Sequence, residues 1–289
     1  MTSGNGVVDV DALLLGSERD DKASVQTQVV VEDALTLDVE GVGHYTLMWT
    51  PVGLQAAAHG YTAADGLLGE VERSEGLALA LGFALSEGLI QSLQDIRAMS
   101  VCADNPEVIQ VQLHDPDAVA VQRRDVVVDS SCGICGPREI LQDNVLGLTE
   151  LTRKLSLASA AIPGLMESMR AGQKIFEQTG GSHAAAIFNS TGEIVAVAED
   201  LGRHNALDKA IGSVLLERGS VQGCGVVLSS RLSLEMVLKA VRAGLEVMLA
   251  VSAPTSLAID VAQQFGVTLC GFVRAERATV YTHPDRILS

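Results

Sequence analysis

Two thiols three positions apart, Cys132 and Cys135, are the residues of this chain best suited to covalent chemistry. They stand in Ser130-Ser131-Cys132-Gly133-Ile134-Cys135-Gly136-Pro137, where small residues and a proline argue for a mobile loop rather than a core segment. A C-x-x-C loop serves three chemistries: half of a zinc site, a dithiol–disulfide couple, or a thiolate that carries sulfur. Zinc asks for about four ligands, usually with a second close pair. The remaining cysteines, Cys102, Cys224 and Cys270, are isolated, which argues against structural zinc. A thioredoxin-like couple follows a strand and opens a helix, and Gly136-Pro137 fits that poorly. A sulfur carrier needs an exposed thiolate on a pliant arm. Gly and Ser supply the pliancy, and Arg123, Arg124 and Arg138 favour the thiolate. The residues alone lean to the third use and leave the other two open.

A second group of residues suits an anion. Ser229-Ser230-Arg231, Ser252 to Ser256 (with Thr255) and Phe272 to Arg277 each follow an apolar stretch that reads as a strand. Ligands of parallel sheets sit beyond such carboxyl ends. The first two segments lead into helices, whose free N–H groups favour anions, and Arg274 and Arg277 add fixed positive charge. Helix capping alone is the better account of any one of these Ser and Thr residues; the three segments together, with the arginines, point to a cleft. Leu201 to Lys209 packs Arg203, His204, Asn205, Asp208 and Lys209 at the start of another helix. Thr179-Gly180-Gly181-Ser182-His183 brings His183 to the start of a strand after a Gly-Gly turn.

Elements must hold these groups. Val29 to Val31, then Leu35, Leu37 and Val39, read as short strands, and Tyr45, Leu47 and Trp49 alternate in another. Residues 56–75, rich in Ala and Gly, read as helix or loop. Leu77 to Glu87 reads as a buried helix, followed by strands near 98–103 and 108–113. The second half reads as a helix over 163–177, with Leu165, Met169 and Phe176 on one face, then strands over 184–188 and 194–198. A helix over 206–217 and a strand over 225–228 follow. The helix over 233–243 sets Leu234, Val237, Leu238 and Val241 at i, i+3, i+4 and i+7. A strand over 247–251, a helix over 256–265 and a strand over 267–273 complete the order. Helical crossovers make the last three strands parallel neighbours. Residues 1 to about 27 read as an acidic lead-in with little periodicity.

Composition narrows the function classes. With 289 residues, 47% of them hydrophobic, the chain can bury a core of two domains. The 36 acidic and 20 basic residues give a net charge of −16, which argues against a general nucleic-acid coat and requires any anion to be held by a local basic cluster. No apolar run is long enough to span a membrane. Met1 to Asp11 carries no Lys or Arg, so no signal peptide is expected and the protein reads as cytoplasmic. Five cysteines suit a reduced compartment.

The chain resembles the formate dehydrogenase accessory sulfurtransferases, the FdhD/NarQ family. The resemblance runs in order through Leu81-Gly82-Phe83 with Ser86-Glu87-Gly88, Ser131 to Gly136, Thr179 to Ala185 and Glu199 to Lys209. It continues through Ser229 to Lys239, Ala253-Pro254-Thr255, Gly271-Phe272 with Arg274, and Val280 to Arg286. It implies that sulfur is taken from a cysteine desulfurase as a protein persulfide. That sulfur is then delivered to the molybdenum or tungsten of a bis-guanine-dinucleotide cofactor needed by formate dehydrogenase. The first cysteine of the family motif falls on Cys132, the expected persulfide carrier, and the second on Cys135. The family's cofactor-binding segment after the last strand falls on Phe272, Val273, Arg274, Ala275, Glu276 and Arg277. His183, Arg203, His204, Ser229, Arg231 and Thr255 complete the expected cofactor-binding set.

The implied fold is α/β (α+β overall). A smaller strand-rich α+β N-terminal domain over 28–160 ends in the C-x-x-C loop, after an acidic extension over 1–27. A cytidine deaminase-like three-layer α-β-α C-terminal domain spans 161–289. The deaminase metal signature H-x-E is missing, since Ala184 and Ala185 follow His183, and no structural metal is expected. Expected partners are the desulfurase, the formate dehydrogenase catalytic subunit and a second copy of the chain. Neither nucleic acid nor membrane is expected. About 25 residues between Pro51 and Leu77 stand where the family has a few. A cofactor-binding chaperone without obligatory sulfur transfer is the alternative, and a zinc-dependent deaminase-like hydrolase the third reading.

Overall fold

The computed structural model describes residues 5–16, 22–52, 60–62, 74–102, 104–119, 126–128, 145, 147–274 and 277–289, with backbone only at 60–62 and 126–128. The first elements, β1 (Val7–Leu15) and β2 (Lys22–Val30), pair antiparallel over nine rungs. They replace most of the expected aperiodic lead-in. Val7 alone is buried in them, so the hairpin is wet on both faces and needs no apolar alternation by which it could be read.

In β3 (Asp33–Val39) and β4 (Gly43–Trp49) every second residue is buried: Leu35, Leu37 and Val39, then Tyr45, Leu47 and Trp49. Period-two burial turns one face of the sheet to the core. With β5 (Gly60–Thr62), β6 (Ile96–Val101), β7 (Val108–Leu113) and β8 (Val126–Val128) they form a six-stranded sheet in the order β5-β6-β7-β3-β4-β8. The edge strand β8 runs parallel to β4, with Val128 opposite Leu47. Helix α1 (Glu75–Ser86) is buried from Gly76 through Ser86. Such an all-apolar helix belongs between layers: the first sheet covers one side and helices of the second half the other.

Before the second sheet, the short strand β9 (Leu157–Ala158) precedes α2 (Ile162–Gly172) and α3 (Lys174–Thr179). The single helix expected over 163–177 is broken at Gln173 (φ −79°, ψ 66°), which caps both pieces. The carboxylate of Glu199 accepts hydrogen bonds from the N–H groups of Ile175 (2.8 Å) and Phe176 (3.0 Å), starting α3 afresh. The break rotates Phe176 off the face of Leu165 and Met169; those two are buried and Phe176 is exposed.

The second sheet has the order β11-β10-β12-β13-β14-β15. Its members are β10 (His183–Phe188), β11 (Ile194–Asp200), β12 (Gly225–Leu228), β13 (Val247–Ala250), β14 (Thr268–Arg274) and β15 (Arg277–Val280). The strands β12, β13 and β14 are parallel neighbours, as the crossovers require, and their crossover helices are α5 (Leu234–Ala243) and α6 (Ser256–Phe265). Helix α4 (Arg203–Arg218) lies against β10 and β11. One face of the sheet shares a core with α4, α5, α6, α1 and the first sheet; α2 covers the other face. This gives the three-layer α-β-α arrangement. At the chain's end β16 (Ile287–Leu288) pairs with β9.

Between α1 and α4 the backbones touch through two glycines. A Cβ on Gly82 would stand 1.8 Å from the carbonyl oxygen of Asp208, and one on Gly212 1.8 Å from that of Ala78.

Candidate functional site

One end of the second sheet gathers the polar groups. The parallel strands β12, β13 and β14 share a carboxyl end, and β10 runs antiparallel to β12, so its first residue, His183, lies at that end. Strand β11 returns to it, with Asp200 opposite His183. The rim therefore carries His183, Leu201 to His204, Ser229 to Ser233, Ser252 to Thr255 and Phe272 to Arg274. Hydrogen bonds stitch these segments together. The Ala184 N–H donates to Ser229 Oγ (2.9 Å), the Leu232 N–H to the Ala253 carbonyl (3.1 Å), and the Phe272 N–H to the Ser252 carbonyl (3.1 Å). Helices α4, α5 and α6 all start here, with their partial positive ends turned to the rim.

Their caps differ. Thr255 Oγ1 accepts from the Ala258 N–H (3.3 Å), so Thr255 is a helix cap, the plain role open to it. Ser233 caps α5 by position, but its buried Oγ has no hydrogen-bond partner among the described residues. Gly202 caps α4 and has no side chain to offer. The buried Nε of Arg203 likewise lacks a hydrogen-bond partner among the described residues. His204 Nε2 stands 3.1 Å from Glu235 Oε2, joining the first turns of α4 and α5. Half-buried His183 is held below the usual histidine pKa by burial first, then by the charges of Arg203 and His204, with Asp200 opposing.

At the far side of the rim, β14 ends at Arg274, one residue past the strand end expected at Val273, and a further strand that was not expected, β15, begins at Arg277. The register shifts between Gly271 and Arg274, and at this bulge Phe272 adopts φ 53° with its ring exposed. A non-glycine residue at such a φ is strained. Val273 is fully buried in the core and contributes its carbonyl rather than its side chain. Arg274 Nη1 donates to the carbonyls of Val251 (2.6 Å) and Val273 (2.9 Å). Arg274 and Arg277 face each other as a cross-strand pair, both exposed. Like charges directly opposite repel, and an anion between them relieves that repulsion. Arg231 is exposed beyond β12. Cys132, Cys135, Ala275 and Glu276 lie outside the described residues.

Most letters of the dense motif over 199–209 are engaged beneath the rim rather than on it. Glu199 caps α3 and accepts from Ser182 Oγ (2.7 Å). Asp200, fully buried, accepts from the N–H groups of Thr50 (3.0 Å) and Gly202 (2.9 Å) and from Asn205 Nδ2 (3.1 Å), and it pairs with Lys209 Nζ (2.9 Å). Lys209 also reaches Glu75 (3.1 Å) and the Thr50 carbonyl (2.7 Å). Burial opposes its charge, but Asp200 and Glu75 outweigh that and hold its pKa above the usual lysine value. Asp208 and Ser86 bind Lys239, each at 2.8 Å, and Glu87 binds it at 2.7 Å. Arg203 and His204 remain at the rim. Thr50 and Glu235 carry no signal in the sequence; Lys209 does, as a charge among the apolar residues Ala206, Leu207, Ala210 and Ile211.

Fold and rim together define an α+β protein built on two six-stranded sheets, with polar and cationic groups at one end of the second, mixed sheet. The chain belongs to the FdhD/NarQ family, whose pattern matches residues 73–288. It is 41% identical over 213 residues, 73% of this chain and 79% of the other, to the sulfur carrier protein FdhD of Sulfurisphaera tokodaii. To the sulfur carrier protein FdhD of Bordetella bronchiseptica it is 36% identical over 269 residues, 92% of this chain and 89% of that one. A solved structure from Desulfotalea psychrophila, described as a candidate formate dehydrogenase accessory protein, superposes with a TM-score of 0.72 at 24% identity. It covers 98% of this chain and 99% of that one, and shows the same fold. No helix among the described residues is long and apolar enough to cross a membrane.

Proposed function

We propose that the protein is a sulfur carrier in which Cys132 accepts sulfur from the persulfide of a cysteine desulfurase. It delivers that sulfur to the molybdenum or tungsten of a bis-guanine-dinucleotide cofactor, the substrate held at the rim, for use by formate dehydrogenase. Close relatives bear the name of sulfur carrier. The observation that carries the reading is the course of β8. This strand ends at Val128 beside Leu47 of β4, and the residues just beyond β4 are bonded to the start of α4. Cys132 is four residues past Val128, so chain length alone keeps its Cα within about 14 Å of the Val128 Cα.

The steps balance as thiol exchange. The Cys132 thiolate attacks the outer sulfur of the donor persulfide, and the desulfurase thiolate leaves with the bonding pair. Release then follows when the Cys135 thiolate attacks Cys132 Sγ. That step forms a Cys132–Cys135 disulfide and expels hydrosulfide; the carried sulfur is reduced, the two cysteines are oxidised, and an external thiol restores them. At the rim, Arg203, Arg274 and Arg277 and the starts of α4 and α5 suit the phosphates of a dinucleotide. Neutral His183 offers a hydrogen bond without adding charge.

Intact mass after mixing with a desulfurase and cysteine tests the reading. Wild type should gain one sulfur and Cys132→Ala none. Equal loading of both, or loading of neither, refutes Cys132 as the carrier.

A further inference from the structure

The hairpin of β1 and β2 is wet on both faces, yet the faces are not alike. On one face the register sets Val8 opposite Val29, Ala12 opposite Val25 and Leu14 opposite Ala23, and none of these is buried. The other face sets Asp9 opposite Gln28 and Asp11 opposite Gln26, and Gln28 Nε2 donates to Asp9 Oδ1 (3.1 Å). Leu13, Leu15 and Val30 stand on this second face and blur the alternation along the chain, so the difference emerges only once the strands are paired.

The two edges differ as well. Among the described residues β1 and β2 form a sheet of their own, so both are edge strands. Such a strand offers unpaired N–H and C=O groups to another chain, and charged side chains blunt the offer. Strand β1 carries Asp9 and Asp11, whereas Ala23 to Val31 holds no charge, glycine or proline. A two-stranded hairpin is marginal in water, and further strands stabilise it.

We propose that β2 is a dimerisation edge, pairing antiparallel with β2 of a second copy across a two-fold axis at Val25. At the root of the hairpin Val30 lies against Gly181, where an added Cβ would stand 3.0 Å from Val30 Cγ1. The body of the chain occupies that end of β2, which leaves 22–28 free, with Val25 at the midpoint. The axis sets Lys22 against Gln28, Ala23 against Thr27, Ser24 against Gln26 and Val25 against its own copy. Polar residues meet polar ones, small or apolar ones meet their kind, and no charge faces its own sign. The occupant is a second copy because this edge complements itself. Strand β1 does not: the same operation about its midpoint, Asp11, sets two aspartates face to face, which is destabilising.

The product is a four-stranded sheet in the order β1-β2-β2-β1, with one continuous apolar face and acidic outer strands. Its contact is isologous and closes at two copies. Residues 22–28 of each copy fall well short of the about 20–30 residues a side of a standard interface, so the dissociation constant should be on the order of micromolar. The interface does not depend on the sulfur chemistry.

Sedimentation equilibrium of the full chain tests it with Val25→Lys and Val25→Glu. Val7 alone is buried in the hairpin, so both variants should fold and keep the wild-type melting temperature. Wild type should dimerise reversibly. Each variant by itself sets like charges across the axis and should weaken the dimer by about tenfold or more. An equimolar mixture of the two sets opposite charges across the axis and should recover the wild-type association. Wild type that stays monomeric at about 100 μM overturns the proposal. A dimer that both variants retain overturns it too, because it uses another surface, and so does a mixture that associates no better than either variant alone.

Discussion

Replacing Gly82 by alanine is the sharpest test of how the rim is held. The added Cβ would lie 1.8 Å from the Asp208 carbonyl oxygen, and real Cβ atoms essentially never come within 3.0 Å of a neighbour. That neighbour is helix backbone, which cannot swing aside as a side-chain tip can. Helices α1 and α4 must therefore separate by at least about 1.2 Å, the difference between the two distances above. A gap of about 1 Å forfeits up to half of the dispersion attraction across an interface. Leu79, Leu81, Leu207 and Ile211, all fully buried, belong to the core that would lose it. Overpacking of a core costs about 1–3 kcal/mol, and the rigid neighbour here puts the expected loss at the upper end, about 3 kcal/mol or more. For a chain of this size each kcal/mol moves the melting temperature by about 2–4 °C, so the midpoint should fall by roughly 6–12 °C. Circular dichroism melts give the number. Gly212→Ala should cost a similar amount, because it strikes the Ala78 carbonyl at the same crossing. The double variant should cost clearly less than the two together, since helices already parted admit the second methyl. A melting shift under 2 °C for Gly82→Ala, or full additivity of the pair, would refute the close crossing.

Two further outcomes follow from the rim. Arg277→Glu places a carboxylate opposite Arg274, letting the pair neutralise itself, and GDP affinity measured by titration should fall by about tenfold, one charge-assisted contact; unchanged affinity removes Arg277 from the site. His183 sits below its ordinary pKa because of burial first and then the neighbouring Arg203 and His204. The unfolded chain therefore takes up this proton first, so the stability due to neutral His183 is present above about pH 6.5 and is lost as pH falls below it. A bound phosphate offsets the Arg203 charge, so the His183 pKa should rise on GDP binding and GDP should bind more tightly as pH falls through that range. An NMR titration in which His183 is unmoved by GDP would show that the nucleotide sits elsewhere.

What the amino-acid order makes legible follows from which residues have a buried face. Leu35, Leu37 and Val39 alternate because one side of β3 is core, and Leu234, Val237, Leu238 and Val241 repeat because one side of α5 is core. Parallel pairing of β12, β13 and β14 follows from the helices between them. Where burial is absent the pattern is silent. Strands β1 and β2 are almost wholly exposed, and β15 alternates only between exposed and half-buried positions, so neither announces itself. Long-range bonds are silent too. The break at Gln173 is set by Glu199, a residue on a strand reached only after α3 has ended. The site divides in the same way. That the candidate segments share one end of the sheet is readable from crossover order. That Val273 faces the core and Thr255 caps a helix depends on side-chain direction and local bonding.

The charges beneath the rim bear on why the motif is so dense. Lys209 and Lys239 are almost wholly buried, and each is met by carboxylates: Asp200 and Glu75 for the first, Asp208 and Glu87 for the second. Buried ion pairs of this kind contribute little net stability compared with apolar residues of the same volume, because desolvation opposes the attraction between the charges. Stability alone would thus favour a plain apolar packing of α1, α4 and α5. The pairs add direction instead. Lys239 joins α5 to the end of α1, and Lys209 joins α4 to the start of α1 and to the end of β4, so the starts of α4 and α5 are aligned against one common helix. Arg203, His204 and Ser233 stand on those two starts. A site that grips several phosphates at once depends on the spacing of its donors more than on any single donor. The internal pairs hold that spacing while Arg231, Arg274 and Arg277 stay exposed in a chain of net charge −16.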